Sequence, residues 1–110
     1  MVIAALSLSV AIPEVASLKG KRKSIQALKD RVKARFNVSI AEVGALDLWQ
    51  RAEIGVAAVA NDQRMLNSKM DKLLNYIEST GLVEPLSAEL EFIHLGEEPG
   101  SGDYLQGGFS

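Results

Sequence analysis

An α+β domain with its elements in the order β-α-β-β-α-β is predicted by three features of this 110-residue sequence. Four stretches are rich in branched apolar residues or alternate apolar with polar ones, as strands do. Two stretches between them repeat apolar residues at the 3.6-residue period of a helix. Proline, glycine or an Asx residue stands at most of the joins.

Val2 to Ile12 is the first strand: Ser7 and Ser9 alternate with Leu6, Leu8 and Val10, and Pro13, which cannot continue a ladder, ends it. Ser17 is placed to cap a helix whose stripe is Leu18, Ile25, Leu28, Val32 and Phe36, with Asn37 suited to a left-handed C-terminal cap. Val38 to Leu46 and Trp49 to Ala60 read as two strands of a hairpin turning at Asp47 and Leu48. Asn61 or Asp62 caps a second helix with the stripe Leu66, Met70, Leu73 and Ile77, which Gly81 stops. Leu86 to His94, where Glu89 and Glu91 alternate with Leu90 and Phe92, is a half-solvated fourth strand. Gly96 to Ser110 is too poor in apolar residues to order itself. The expectation is one domain over residues 1–95 and a flexible tail over residues 96–110.

Two strand-helix-strand crossovers joined by a hairpin make a ferredoxin-like topology. Right-handed crossovers put both helices on one face of a four-stranded antiparallel sheet in the order 4-1-3-2. The other face is left open. Period-two alternation assigns Ala5, Ser7 and Ser9 of the first strand and Gly55, Ala57 and Val59 of the third to its centre, predicting a small, smooth and uncharged surface.

Composition narrows the function classes. With 47% hydrophobic and 24% charged residues, the chain is an ordinary globule of one-domain length. It has no cysteine, which excludes disulfides, thiolate metal sites, cysteine nucleophiles and iron–sulfur clusters. The apolar start lacks the basic residues that precede a secretory h-region, and no run reaches the roughly 18 apolar residues of a membrane span. A cytoplasmic protein without a membrane partner is expected.

Three blocks resemble a known family: Ser17-Leu18-Lys19-Gly20-Lys21-Arg22, Phe36-Asn37-Val38-Ser39-Ile40-Ala41-Glu42-Val43, and Asp47-Leu48-Trp49-Gln50-Arg51-Ala52 with the later Asn61-Asp62. In this order and at these separations they are similar to the YlxP-like family of small uncharacterised bacterial proteins, over about residues 2 to 94. The resemblance implies a ferredoxin-like fold, a gene set among genes for translation initiation and ribosome maturation, and no established activity. Gly20 departs from the pattern by putting a poor helix former in the first turn of the first helix.

Charge is the most informative feature. Ser17 to Phe36 holds eight of the twelve basic residues and one acid, leaving four bases and thirteen acids elsewhere. Such a segment reads either as a phosphate-binding platform, with Lys19, Lys21, Arg22, Lys23 and Arg31 as its contacts, or as a solvated helix face steadied by acidic neighbours. By the helical period, Lys21, Arg22 and Lys29 flank the apolar stripe, while Lys19, Lys23 and Arg31 point outward. RNA or a ribosomal subunit is the partner this suggests.

Base stacking on the open sheet face is not expected, because Ser7, Gly55 and Ala57 stand where the rings would be needed. A smooth face of Ala5, Ser7, Gly55 and Ala57 suits a homodimer or partner interface instead. Trp49 and Arg51, residue types enriched in binding hot spots, either extend that interface or close the end of the core. His94 has no ligand partner at metal spacing, and no elbow motif marks Ser7, Ser17, Ser24 or Ser39 as a nucleophile. The first strand runs into Ile12-Pro13-Glu14-Val15 without a phosphate-cradling glycine. Asn61-Asp62 is better explained as a cap than as a cation site. The sequence therefore predicts a non-enzymatic accessory protein with no catalytic residue, metal, cofactor or small-molecule substrate. The alternative function is a homodimeric interaction module.

Overall fold

Strand β1 (Val2–Ala11) alternates fully: Val2, Ala4, Leu6, Leu8 and Val10 are buried, while Ala5 and Ser7 are exposed. The computed structural model, which describes residues 1–96, places this strand inside an antiparallel sheet of order β2-β3-β1-β4. The neighbours are β2 (Ser39–Gly44), β3 (Arg51–Ala60) and β4 (Glu84–His94). This is the ferredoxin-like β-α-β-β-α-β arrangement, and its strand order is the expected 4-1-3-2 read from the other edge.

The helices α1 (Leu18–Arg35) and α2 (Gln63–Thr80) both pack on the even-numbered face of β1. Ile25, Leu28 and Val32 of α1 and Leu66, Met70, Leu73 and Ile77 of α2 meet Ala52, Ile54, Val56 and Ala58 of β3 in one core. Burial of each large aliphatic side chain there contributes about 1.5–3 kcal/mol. At the sheet margin β4 has no fully buried residue, and its Pro85, which lacks an N–H, sits beside a shift in register opposite Ser9 and Val10. An edge strand tolerates both.

The caps explain where the helices begin and end. Ser17 Oγ accepts from the Gly20 N–H at 3.1 Å, and Asp62, rather than Asn61, accepts from Arg64 N–H at 2.9 Å. Gly81 ends α2 in the left-handed conformation with φ 71°. Asn37 does not do the same for α1, contrary to expectation. The helix stops at Phe36, whose extended backbone (φ −129°) turns its ring toward Tyr76 of α2, and the Val38 N–H bonds back to the Phe36 carbonyl. Aromatic packing replaces the left-handed cap.

Met1 and Leu95 exchange backbone hydrogen bonds, the Met1 ammonium donating to the Leu95 carbonyl and the Leu95 N–H to the Met1 carbonyl. The tail expected over residues 96–110 lies, from residue 97 onward, outside the described residues. Among the described residues, no helix is long and apolar enough to cross a membrane.

Gly20 has an ordinary helical backbone, and a β-carbon there would meet Ser17 and Val15 at 3.5 Å, a normal van der Waals distance. Gly20→Ala is therefore expected to stabilise the protein by about 0.4–1 kcal/mol, chiefly by restricting the unfolded chain. Thermal unfolding should show Tm raised by roughly 3–6 °C. A lowered Tm would contradict this account of the helix start.

Candidate nucleic-acid interface

The buried stripe of α1 begins one turn earlier than its apolar residues. Counting back four from Ile25 reaches Lys21, which is only 1% exposed. Its aliphatic stem lines the core end while its ammonium donates to the carbonyls of Ala45 (2.7 Å) and Leu48 (2.5 Å) in the β2–β3 loop. Glu42 Oε2, on the helix-facing side of β2, lies 2.7 Å from the same nitrogen. That oxygen is buried and the approach lacks hydrogen-bond geometry, so charge alone satisfies it. Lys21, expected among the phosphate contacts, is thus removed from them. It ties the helix to the hairpin.

The other four expected contacts lie on the surface. Lys19, Arg22, Lys23 and Arg31 are exposed, and among the described residues none forms an ion pair. Among the described residues, Arg22 and Lys29 form no ion pair, whereas Lys21 meets Glu42. The one acid of α1, Asp30, accepts from Gln26 at 2.9 Å. Lys33 and Arg35 occupy the last turn, where the negative end of the helix dipole favours them.

The open sheet face differs from its expectation. Ala5, Ser7 and Ala57 are exposed on it, but cross-strand pairing puts Glu91 beside Ala5 and Glu89 beside Ser7. Glu53 also lies there, with both carboxylate oxygens 2.6 Å from Ser9 Oγ and Arg51 at 3.4 Å. The face is acidic, not uncharged, because the edge strand contributes its polar alternate to the same side. Gly55 is not open floor either: a β-carbon there would lie 3.0 Å from Val43, which a bulge in β2 folds over it. Besides exposed Val43, the larger apolar side chains of this face form a cross-strand row of Val59, Ile3 and Ile93, the outer two 61% and 50% exposed.

Trp49 is 37% exposed and lies outside the core, in the loop fixed by Lys21, beside exposed Leu46 and Leu48. Arg51 is engaged by Glu53 at 3.4 Å. His94 is exposed with Nε2 2.6 Å from Gln63 Oε1. Among the described residues no three His, Asp or Glu side chains converge to hold a metal.

Residues 3–90 match the family described as "Protein of unknown function (DUF503)". The chain belongs to that family. A similar relative is "Uncharacterized protein YlxP" of Bacillus subtilis (strain 168), 37% identical over 73 residues that make up 66% of this chain and 79% of the relative. Among solved structures, a mutant of SnoaB, a cofactor-independent oxygenase from Streptomyces nogalater, superposes with TM-score 0.46 and 6% identity, covering 87% of this chain and 95% of that one. A putative chlorite dismutase, TA0507, superposes with TM-score 0.46 and 9% identity over 98% of this chain and 48% of that one. These distant likenesses carry no activity across to the DUF503 chain.

Lys21→Met keeps the stem and removes the charge, leaving Glu42 and two loop carbonyls without their cation. It is expected to cost about 3 kcal/mol in urea unfolding, with part restored when Glu42→Leu is added. Lys19→Ser and Lys23→Ser should each change stability by less than about 0.5 kcal/mol. A Lys21→Met loss as small as theirs would show that the buried ammonium is not a structural tie.

Proposed function

We propose that this chain is a non-enzymatic cytoplasmic accessory protein that contacts RNA or a ribosomal subunit through phosphates on the exposed side of α1. The observation that carries the reading is the separation of charge between the two faces. Lys19, Arg22, Lys23 and Arg31 project from the helix layer without ion pairs among the described residues, while Glu53, Glu89 and Glu91 line the opposite sheet face. A polyanion is attracted to one side of the domain and repelled from the other, which selects one docking orientation. Phosphate contacts of this kind position a partner and carry little sequence preference.

With four such contacts, the log–log dependence of duplex RNA affinity on salt should have a slope of roughly −3 to −4. Lys19→Ser, Lys23→Ser and Arg31→Ser combined should remove most of the association with RNA or ribosomal subunits at low salt. Binding equal to the parent's would return the helix face to a solvated surface.

A second reading, homodimerisation through the open sheet face, is favoured by the row of exposed Val59, half-buried Ile3 and exposed Ile93 beside Ala5 and Ala57. Ala57→Asp should then halve the mass measured by light scattering. A monomeric parent at high concentration would remove this reading.

A further inference from the structure

The basic surface does not end with α1. Three of the four bases outside that segment, Arg64, Lys69 and Lys72, belong to α2. Two of them sit in a row: Met65, Lys69, Lys72 and Tyr76 recur at intervals of four, three and four. Each stands one residue before the buried Leu66, Met70, Leu73 and Ile77. The helical period puts this row on one flank of α2, with Asp71 and Glu78 on the other.

The row meets the end of α1. The guanidinium of Arg35 lies 4.5 Å from the Tyr76 ring centroid, and the Phe36 ring is 5.9 Å from the same ring at 53°. Two adjoining open clefts share Phe36 and Lys72. One, about 520 Å³, is lined by Arg35 and Tyr76 as well; the other, about 350 Å³, by Met65 and Lys69. Arg35, Lys69 and Lys72 form no ion pair among the described residues. Arg31, one turn before Arg35, stands on the same flank of α1 and joins this groove to the surface already described.

We propose that the groove between the end of α1 and the Met65–Tyr76 row of α2 binds single-stranded nucleic acid. Arg35, Lys69 and Lys72 hold its phosphates, and one unpaired base lies against the Phe36–Tyr76 pair and the Arg35 plane. The inference rests on the phosphate-binding reading of α1 and adds a strand preference that a bare basic helix lacks. A-form duplex offers phosphates and riboses but keeps its bases stacked inside, whereas an unpaired base can lie against rings and a guanidinium. Cations alone would suit any polyanion; it is their convergence on two aromatic rings that favours an unpaired strand.

The test measures anisotropy of a fluorescein-labelled oligouridylate of about 12 nucleotides, a hairpin RNA of equal charge, and a polyglutamate peptide, with the full chain at low salt. The oligouridylate should bind about tenfold more tightly than the hairpin, the order that stacking of one base contributes. Tyr76→Phe, which keeps the ring, should retain the preference, and Tyr76→Leu should abolish it. If Tyr76→Leu fails to fold, Lys69→Ser with Lys72→Ser carries the test. That pair should lower the single-strand salt slope by roughly 0.7 per charge while the hairpin's slope stays unchanged.

Equal salt-dependent binding of both RNAs would overturn the groove and leave the α1 reading standing. Polyglutamate bound as tightly as oligouridylate would replace the nucleic acid by an acidic protein segment. No RNA binding at all would overturn both readings.

Discussion

Two helices can cover only one side of a four-stranded sheet, and most of this molecule follows from that constraint. Each strand must present an apolar row to the helices and a different row to the other side. β1 and β3 meet the demand with Leu, Ile, Val and Ala inward and mostly Ala, Ser, Gly and Glu outward, where Ile3, Val59 and Arg51 also lie. The helices answer with stripes of matching phase, Lys21-Ile25-Leu28-Val32 and Leu66-Met70-Leu73-Ile77. Their remaining surface is freed for charge.

Lys21 is the polar member of those stripes. A buried ammonium is tolerable only with partners, and it has Glu42 and two carbonyls of the loop that joins β2 to β3. Ala45, which supplies one of those accepting carbonyls, has φ 57°, a left-handed backbone unusual for a residue with a side chain. Its carbonyl accepts from the Leu48 N–H and from Lys21 together. The ammonium thereby holds in place a loop that carries exposed Leu46, Leu48 and Trp49. Lysine suits this place because its point charge can serve three oxygens that no planar guanidinium fork would match.

The charge asymmetry along the sequence becomes an asymmetry between faces. Basic residues from both helices share the outer layer, with α2's carboxylates turned to its far flank, and the carboxylates of β3 and β4 gather across the sheet. On the two proposed readings, the helix layer would meet a polyanion and the apolar row beside the acidic patch would meet a second protein surface. Because the sheet separates them, occupation of one need not obstruct the other.

The fold was legible in the sequence because period, caps and turns are local quantities. Alternation in Val2–Val10, the stripe of α2, the Ser17 cap and Gly81 are read from neighbours a few residues apart, and the topology follows from their order and crossover handedness. The candidate site was legible only in part. Lys19, Arg22, Lys23 and Arg31 stand where the helical wheel puts charged residues, but Lys21 looked like a fifth surface base because its partners lie 21 or more residues away, at Glu42, Ala45 and Leu48. Its place in the buried period was the one available signal. The acidity of the sheet face depended on register, which pairs Glu89 with Ser7 and Glu91 with Ala5. The convergence of Arg35, Phe36, Lys69, Lys72 and Tyr76 depended on how two helices lie side by side. What the sequence by itself determined was each element and its inward face; which side chains from distant elements share a surface was decided by tertiary packing, because charge and ring contacts act through space and not along the chain.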